Sequence, residues 1–575
     1  MNYNECYKKW LDSDSLTEAE KAELISIAED ESVKAMRFSA PMDFGTAGLR
    51  STMYMGIGCM NRFTVAQTTR GIAALIKNAG GESRGVAIAF DSRNNSREFA
   101  RVSASVLASL GIKVYIFDAL RPTPELSFAV RYFGAMAGIN ITASHNPKEY
   151  NGYKAYWEDG AQINPEQAKI VSAERAKFDV LDMSGTDFYE EGVSSGIIEV
   201  LDERFDEKYI DAVLATAIDP SLVATVAESL KVVYSPLHGA GYKLVPEIFK
   251  RIGLKHLYTV DSQMVPDGNF PTVKKPNPEY PDVFEAGIEI ANRVGSHLVI
   301  ATDPDSDRVG VMSRNSDGSF VTISGNQMGA LLLDYVINRR RELGKLHKNA
   351  FCVKSIVSTD MAYKIAAMQG VKLYDVYTGF KFIGEVVKAY EAKGKEDAFL
   401  LGFEESYGYL LGSYARDKDA VEASMMILEM TAYYSTLGMT LCDALEKLYK
   451  TYGHYREGMI DIYMEGFDGI ERRKKVMASL RENIPEAFGG YAVAEARDYQ
   501  SGIITDMKTK ATKSTGFDPS DVLYYVLDNG DKIVVRPSGT EPKIKIYILA
   551  HDECAEKLAQ KLEAYSNDAK KIAEV

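Results

Sequence analysis

Gly85-Val86-Ala87-Ile88-Ala89-Phe90 is an apolar run without a polar face, and residues 96–110 behind it place apolar side chains at helical spacing. A run so short and so uniformly apolar predicts a strand covered on both sides, the habit of a parallel sheet between helices. Lys113-Val114-Tyr115-Ile116-Phe117 is a second such strand and residues 137–142 a third. Alternation of this kind defines an α/β architecture. Working outward, the pattern starts afresh at Lys231-Val232-Val233-Tyr234 and closes at His297-Leu298-Val299-Ile300-Ala301. A further cycle runs from a helix over 327–341 through Phe351-Cys352-Val353 to Ala398-Phe399-Leu400-Leu401. The last part of the chain differs. Residues 521–527 and 532–535 flank Asn529-Gly530, a pair that tolerates positive φ and so predicts a hairpin. Lys545-Ile546-Tyr547-Ile548-Leu549 adds a strand before a closing helix. The expectation is three α/β units followed by one α+β unit. Ahead of them, residues 16–36 predict one exposed amphipathic helix rich in Glu, Ala and Lys.

A chain of 575 residues is too long for one core, since single cores stop growing at roughly 250–300 residues. Hydrophobic residues at 46% and charged residues at 26% are the balance of a globular protein in water. Lys and Arg number 67 against 81 Asp and Glu, a net charge of -14. That sign argues against nucleic acid or a membrane surface as the main partner, but leaves room for a small anion held by a local basic cluster. The five cysteines are scattered, without a CxxC pair or metal-ligand spacing, and read as reduced thiols. The N-terminus lacks the apolar stretch of a signal peptide, and no run of about 18 apolar residues occurs, so the expected location is cytoplasmic.

Four loops carry groups with chemical potential. Thr142-Ala143-Ser144-His145-Asn146-Pro147 follows the third strand, and a serine at a strand's carboxyl end faces a cleft. Taken alone it is an ordinary turn, although Asn151-Gly152-Tyr153-Lys154 brings a lysine close behind it. Thr302-Asp303-Pro304-Asp305-Ser306-Asp307-Arg308 sets three carboxylates at alternate positions, which repel unless a cation joins them. Oxygen ligands suit Mg²⁺, although three carboxylates exceed the one or two it usually takes. A calcium EF-hand loop is disfavoured, because Arg308 stands at its glycine position and Arg314 at its bidentate glutamate. Gly402-Phe403-Glu404-Glu405-Ser406-Tyr407-Gly408 is equally well read as an acceptor for sugar hydroxyls or as a plain polar hairpin. Arg536-Pro537-Ser538-Gly539-Thr540-Glu541-Pro542-Lys543 combines a forked donor with hydroxyls and a glycine, a phosphate cradle that lacks the P-loop pattern. A nucleophile, a divalent metal, a polyol contact and a phosphate clamp together suit phosphoryl transfer on a sugar.

In this order the four loops, with Phe44-Gly45-Thr46-Ala47-Gly48-Leu49-Arg50 and Thr378-Gly379-Phe380-Lys381, resemble the α-D-phosphohexomutase superfamily, in particular its phosphoglucomutase branch. The resemblance spans about residues 43–550. It implies three related α/β domains with mixed sheets and a C-terminal α+β domain of TATA-binding-protein-like fold around one central cleft. The expected divisions are 1–205 with the phosphoserine, 206–318 with the metal, 319–455 with the sugar loop and 456–575 with the phosphate clamp.

The resemblance also implies roles. Ser144 would be the phosphoserine and would share Mg²⁺ with Asp303, Asp305 and Asp307. Arg50, His145, Lys154 and Lys381 would surround the reacting centre, with the division of proton transfer and charge stabilisation among His145, Lys154 and Lys381 left open. Thr378, Gly379, Glu404 and Ser406 would bind the sugar. Arg308, Arg536, Ser538, Gly539, Thr540 and Lys543 would complete substrate binding, the last five on the distal phosphate. Glu-Glu-Ser-Tyr-Gly stands where many bacterial relatives have Glu-Met-Ser-Gly-His, so no histidine role carries over there. The implied activity is interconversion of glucose 1-phosphate and glucose 6-phosphate through bound glucose 1,6-bisphosphate. Pentose or mannose phosphates are the alternatives. The partners are then small sugar phosphates, and the sequence assigns no oligomeric state.

Overall fold

The computed structural model describes residues 2–45, 48–464, 469–538 and 543–572, apart from the side chain of Ile470. Its strands form four sheets, each following the last along the chain. The first contains β1 (Leu49–Thr52), β2 (Val86–Phe90), β3 (Val114–Phe117), β4 (Ala137–Ile141), β5 (Tyr150–Trp157) and β6 (Ile198–Leu201), in the order β1-β5-β4-β2-β3-β6. β4, β2, β3 and β6 run parallel, whereas β5 is antiparallel to β4 and β1 to β5. All five residues of β2 are buried, as the uninterrupted apolar run requires.

The second sheet contains β7 (Lys231–Ser235), β8 (His256–Thr259), β9 (Leu298–Thr302), β10 (Val309–Arg314) and β11 (Phe320–Ile323), ordered β11-β10-β9-β7-β8. The third contains β12 (Phe351–Ser355), β13 (Lys372–Val376), β14 (Phe399–Glu404) and β15 (Gly408–Leu410), ordered β13-β12-β14-β15. One plan underlies all three: a parallel core in which one strand turns back directly into an antiparallel neighbour. Those three reversals, β4 to β5, β9 to β10 and β14 to β15, are three of the four loops singled out in the sequence. The mixed sheets expected of the α/β units are present.

The fourth sheet is antiparallel. It contains β16 (His454–Tyr463), β17 (Ala487–Phe488), β18 (Tyr491–Asp498), β19 (Ile503–Asp506), β20 (Thr512–Ser514), β21 (Leu523–Leu527), β22 (Lys532–Pro537) and β23 (Lys543–Asp552). Its order is β16-β23-β22-β21-β18-β19-β20, with β17 beside β18. The Asn529-Gly530 turn joins β21 to β22 as expected, Gly530 at φ 87°. Side chains alternate across the sheet with period two. Ile533, Val535, Ile544, Ile546 and Ile548 pack under the helices Gly469–Glu482 and Ala555–Lys571. Val534 and Tyr547 point the other way, onto Ile356, Val357 and Tyr377 of the third unit.

The second and third units share a core through the helix Ala420–Thr436, which is buried nearly all round. A helix without a polar face belongs inside a large protein. Asp419 caps it by accepting from the backbone N–H groups of Val421 and Glu422. Among the described residues no helix is long and apolar enough to cross a membrane.

One expectation needs correcting. Residues 16–36 form two helices, Glu18–Ser26 and Glu31–Phe38, preceded by a third at Tyr3–Leu11. Asp30 ends the continuity because its carboxylate accepts from the N–H groups of Ser32 and Val33 and so starts a new helix. The segment is not simply exposed, since Leu16, Leu24 and Ile27 bury against Trp10. The expected divisions at 205/206 and 455/456 fall inside the helix Glu203–Leu214 and inside β16, and 318/319 falls ahead of β11. By sheet membership we propose divisions after Leu201, after Ile323 and before His454 instead.

Candidate active site

The loop from β4 to β5 is built to present one hydroxyl. Thr142 Oγ1 donates to Asp91 Oδ2 at 2.6 Å and accepts from the Ser144 N–H at 2.8 Å. Ser144 takes φ 52°, a left-handed conformation that few non-glycine residues adopt. On the facing strand a Cβ at Gly152 would lie 2.5 Å from the carbonyl oxygen of Thr142, so only glycine lets the loop approach so closely. Lys154 follows on the same face of β5, and Arg50, opposite Gly152 on β1, donates to Asn146 Oδ1 at 3.3 Å.

Ser144 is 1% exposed. Its hydroxyl donates to Asp303 Oδ2 at 2.6 Å and lies 3.0 Å from His145 Nδ1. Burial, with Arg308 and Arg50 adding to it, holds the His145 imidazole well below its usual pKa, so the ring is neutral at pH 7.

Asp303 starts the reversal from β9 to β10. Its Oδ1 accepts from the N–H groups of Asp307 and Arg308, at 3.1 and 3.0 Å, which leaves Oδ2 for Ser144. Thr123, first residue of the helix Thr123–Phe133 in the first unit, reaches across. Its N–H donates to the Asp305 carbonyl oxygen and its hydroxyl to Asp305 Oδ2, both at 2.8 Å. Lys154 Nζ lies 2.6 Å from Asp305 Oδ2 and 3.1 Å from Asp307 Oδ2. Lys418, from the third unit, adds a contact of 3.2 Å to Asp307.

Three units therefore converge on the aspartates, whose ligand oxygens all lie within 4.8 Å of one another. Burial and the charges of Asp305 and Asp307 raise Asp303 well above the ordinary carboxyl pKa. Burial acts on Asp305 and Asp307 as well, but Lys154 and, for Asp307, Lys418 leave both below it. Asp305 Oδ1 and Asp307 Oδ1 are buried without a hydrogen-bond donor. Orphaned acceptors inside a protein are costly, and an all-oxygen donor set of this size fits a hard divalent cation.

The third reversal, from β14 to β15, brings two expected sugar-binding segments together. Gly379, at φ 126° where the helix Phe380–Glu391 begins, donates its N–H to Glu404 Oε1 at 2.6 Å. Burial pushes the Glu404 carboxyl up to about 7, against the pull of Lys418. Thr378 and Ser406 are half-buried beside these groups in sequence, and Lys381 is buried, its pKa lowered by burial against the opposing charge of Glu385. Arg308 pairs with Glu279 and lies 3.8 Å from Asp307 Oδ1, and its charge also acts on Glu404.

The fourth unit packs on the third, where Val534 of β22 and Tyr547 of β23 meet Ile356, Val357 and Tyr377 next to Thr378 in the chain. Burial raises the Tyr547 phenol, with the charge of Glu405 adding to it. Lys543 Nζ pairs with Asp461 at 2.8 Å, and the Ser538 N–H donates to the Lys543 carbonyl oxygen. Gly539 and Thr540 lie outside the described residues.

Sequence reading missed three contributors. Lys418 sits in Arg416-Asp417-Lys418-Asp419, a charged tetrad directly ahead of an apolar helix, and that juxtaposition was its signal. Arg93 follows β2 by three residues, at a strand's carboxyl end like the other loops. Thr123 has no local signal, since its role depends on a residue far away in the chain.

Loops of three units meeting at a serine hydroxyl held against buried aspartates are the arrangement of a phosphoryl-transfer protein of the phosphohexomutase class. The chain belongs to the phosphoglucomutase/phosphomannomutase family, whose alpha/beta/alpha domains I, II and III match residues 41–179, 207–318 and 324–452 and whose C-terminal domain matches 481–564. It is 35% identical to the phosphoglucomutase of Staphylococcus aureus strain N315 over 528 residues, 92% of this chain and 93% of that one. The fold is shared with a putative phosphomannomutase from Thermus thermophilus at TM-score 0.66 and 23% identity, covering 92% of this chain and 99% of that one. It is shared too with the open form of the Paramecium phosphoglucomutase parafusin at TM-score 0.66 and 18% identity, covering 94% and 95%.

Proposed function

We propose that this isomerase interconverts glucose 1-phosphate and glucose 6-phosphate by way of a phosphate carried on Ser144. The observation that carries the reading is the Ser144 hydroxyl, buried and 2.6 Å from Asp303 where loops of separate units meet. Family membership and the S. aureus phosphoglucomutase support the choice of glucose. The phosphate on Ser144 passes to the free sugar hydroxyl: the bond from phosphorus to Oγ breaks as that to the sugar oxygen forms, and the proton of that hydroxyl ends on Oγ. The resulting bisphosphate turns end over end, and Oγ takes the other phosphoryl group as the bond from its phosphorus to the sugar oxygen breaks and that oxygen takes up the Oγ proton. Phosphoryl transfer of this kind depends mostly on positioning and charge stabilisation.

Asp303, Asp305 and Asp307 would hold Mg²⁺ together with Ser144, and the ion would offset negative charge on the phosphoryl group. Lys154 and Arg50 add positive charge from the serine side. His145, neutral and 3.0 Å from Oγ, is the group best placed to hold or return a proton there. Glu404 with Thr378, Gly379 and Ser406 accepts and donates to sugar hydroxyls. Arg536, Ser538, Gly539, Thr540 and Lys543 hold the end that is not reacting, while Arg308, beside Asp307, and Lys381 add substrate-binding positive charge.

The test is a panel of glucose, ribose, deoxyribose and mannose 1-phosphates, assayed with Mg²⁺ and a trace of glucose 1,6-bisphosphate. Glucose 1-phosphate should isomerise fastest without release of free phosphate. Steady phosphate release without isomerisation would make the protein a phosphatase and end the proposal.

A further inference from the structure

Arg93, named above among the contributors, has its guanidinium buried beneath the nucleophile loop. Its Nη1 donates to the carbonyl oxygens of Pro147 and Tyr150, at 2.8 and 3.0 Å. Its Nη2 donates to the carbonyl oxygens of Ser144 and Asn146. One side chain thus gathers four main-chain acceptors spread over the whole reversal from β4 to β5. Its Nε lies 3.3 Å from Asp91 Oδ2, the same oxygen that accepts from Thr142. Asp91 Oδ1 in turn accepts from the Arg93 N–H at 2.9 Å and from Ser96 Oγ at 2.7 Å.

The face of Arg93 is covered from another unit. Phe270, buried on the long loop between β8 and β9, lies with its ring 5.0 Å from the guanidinium carbon. Beside it a Cβ at Gly268 would stand 2.3 Å from the Asn94 nitrogen, and Asn94 Nδ2 donates to Asn269 Oδ1 at 3.1 Å. The second unit therefore closes down on Arg93 as it does on Ser144.

We propose that Arg93 is the positioning residue for Ser144: it holds the serine in its left-handed conformation and passes the seating of the second unit, through Phe270, to the nucleophile. The need is physical. A left-handed serine is strained and persists only where its surroundings over-determine it. Four carbonyls converging on a forked, planar donor supply that constraint, and a lysine ammonium has neither the span nor the donors to replace it. Arg93 touches no described substrate-binding side chain, so its loss should act on turnover rather than on sugar-phosphate affinity.

The inference rests on the mutase reading, and the experiment separates the two. Wild type, Arg93→Lys and Phe270→Leu are assayed for kcat and KM with glucose 1-phosphate, and Ser144 phosphorylation by glucose 1,6-bisphosphate is timed by intact mass. Thermal melts confirm that each variant is folded at the assay temperature. Arg93→Lys should lose about 100-fold in kcat, the scale of a misplacement near 1 Å. KM should change by less than about threefold, and Ser144 phosphorylation should slow in parallel with kcat. Phe270→Leu should lose less, about 3- to 10-fold, with the same split. Arg93→Ala, if folded, should regain turnover when guanidinium is added at low millimolar concentration. Wild-type kcat in Arg93→Lys overturns the inference, as does a loss carried by KM or one explained by unfolding at the assay temperature. A wild type without mutase turnover overturns the reading beneath it, and the inference with it.

Discussion

Ser144 and Asp303 share one short hydrogen bond, and much of the chemistry depends on that pair. Removing the nucleophile while keeping the loop is the direct probe, because the Ser144 N–H, carbonyl and conformation are all fixed by main-chain contacts that alanine retains. Ser144→Ala should lower turnover by about 10⁴-fold or more, the range seen when a nucleophile is deleted, with an unchanged melting temperature. Turnover near wild type would exclude the serine as carrier. Asp305 serves two masters, Lys154 on one oxygen and an orphaned site on the other. Asp305→Asn should raise the Mg²⁺ concentration at half-maximal turnover by more than about 10-fold, and an unmoved titration midpoint would dissociate these carboxylates from the metal.

At the scale of elements, three reversals from a parallel strand into an antiparallel neighbour carry Ser144, the aspartates and Glu404. Each contains a non-glycine residue at positive φ: Ser144 at 52°, Ser306 at 51° and Tyr407 at 66°. The strands and the loops were legible because burial on both faces leaves continuous apolar runs, broken sharply where the chain turns. The positive φ values were not, since neither serine nor tyrosine advertises that conformation as glycine does. The helix Ala420–Thr436 shows a different cost of deep burial. Glu422 accepts from the Leu411 N–H at 2.8 Å, and burial pushes its pKa up to about 8 from 4.5. Between those values the folded protein holds a proton that the unfolded chain has lost, so stability present at pH 4.5 declines as pH rises towards 8. The loss is on the order of a few kcal/mol. Glu422→Gln keeps the acceptor without the charge. The variant should melt above wild type at pH 8 and match it at pH 5, whereas an offset equal at both pH values would assign the effect to packing.

At the scale of the molecule, the serine–aspartate centre exists only because three units meet, and that is where a linear reading stops. Composition and local pattern identified the loops one by one. They could not say that Thr123 would reach Asp305, that Lys418 would reach Asp307, or that Phe270 would cover Arg93, because each contact joins segments far apart in the chain. The same separation makes a last prediction. Arg536 stands on β22 of the fourth unit, while Ser144 stands in the first, and a sugar bisphosphate between them is gripped at both ends only if the two units face one cleft. Binding energy from the distal phosphate is then available to retain the intermediate while it turns. Arg536→Ala should raise KM for glucose 1-phosphate by about 10- to 100-fold, the worth of a charge-assisted hydrogen-bonded pair. It should also let glucose 1,6-bisphosphate escape, visible by phosphorus NMR as free bisphosphate accumulating during turnover and as a steeper need for added bisphosphate. Phosphorylation of Ser144 by excess bisphosphate should survive, because the first and second units are untouched. A variant that isomerises with wild-type KM and releases no intermediate would remove the fourth unit from the substrate's grip, and the site would then be one of three units.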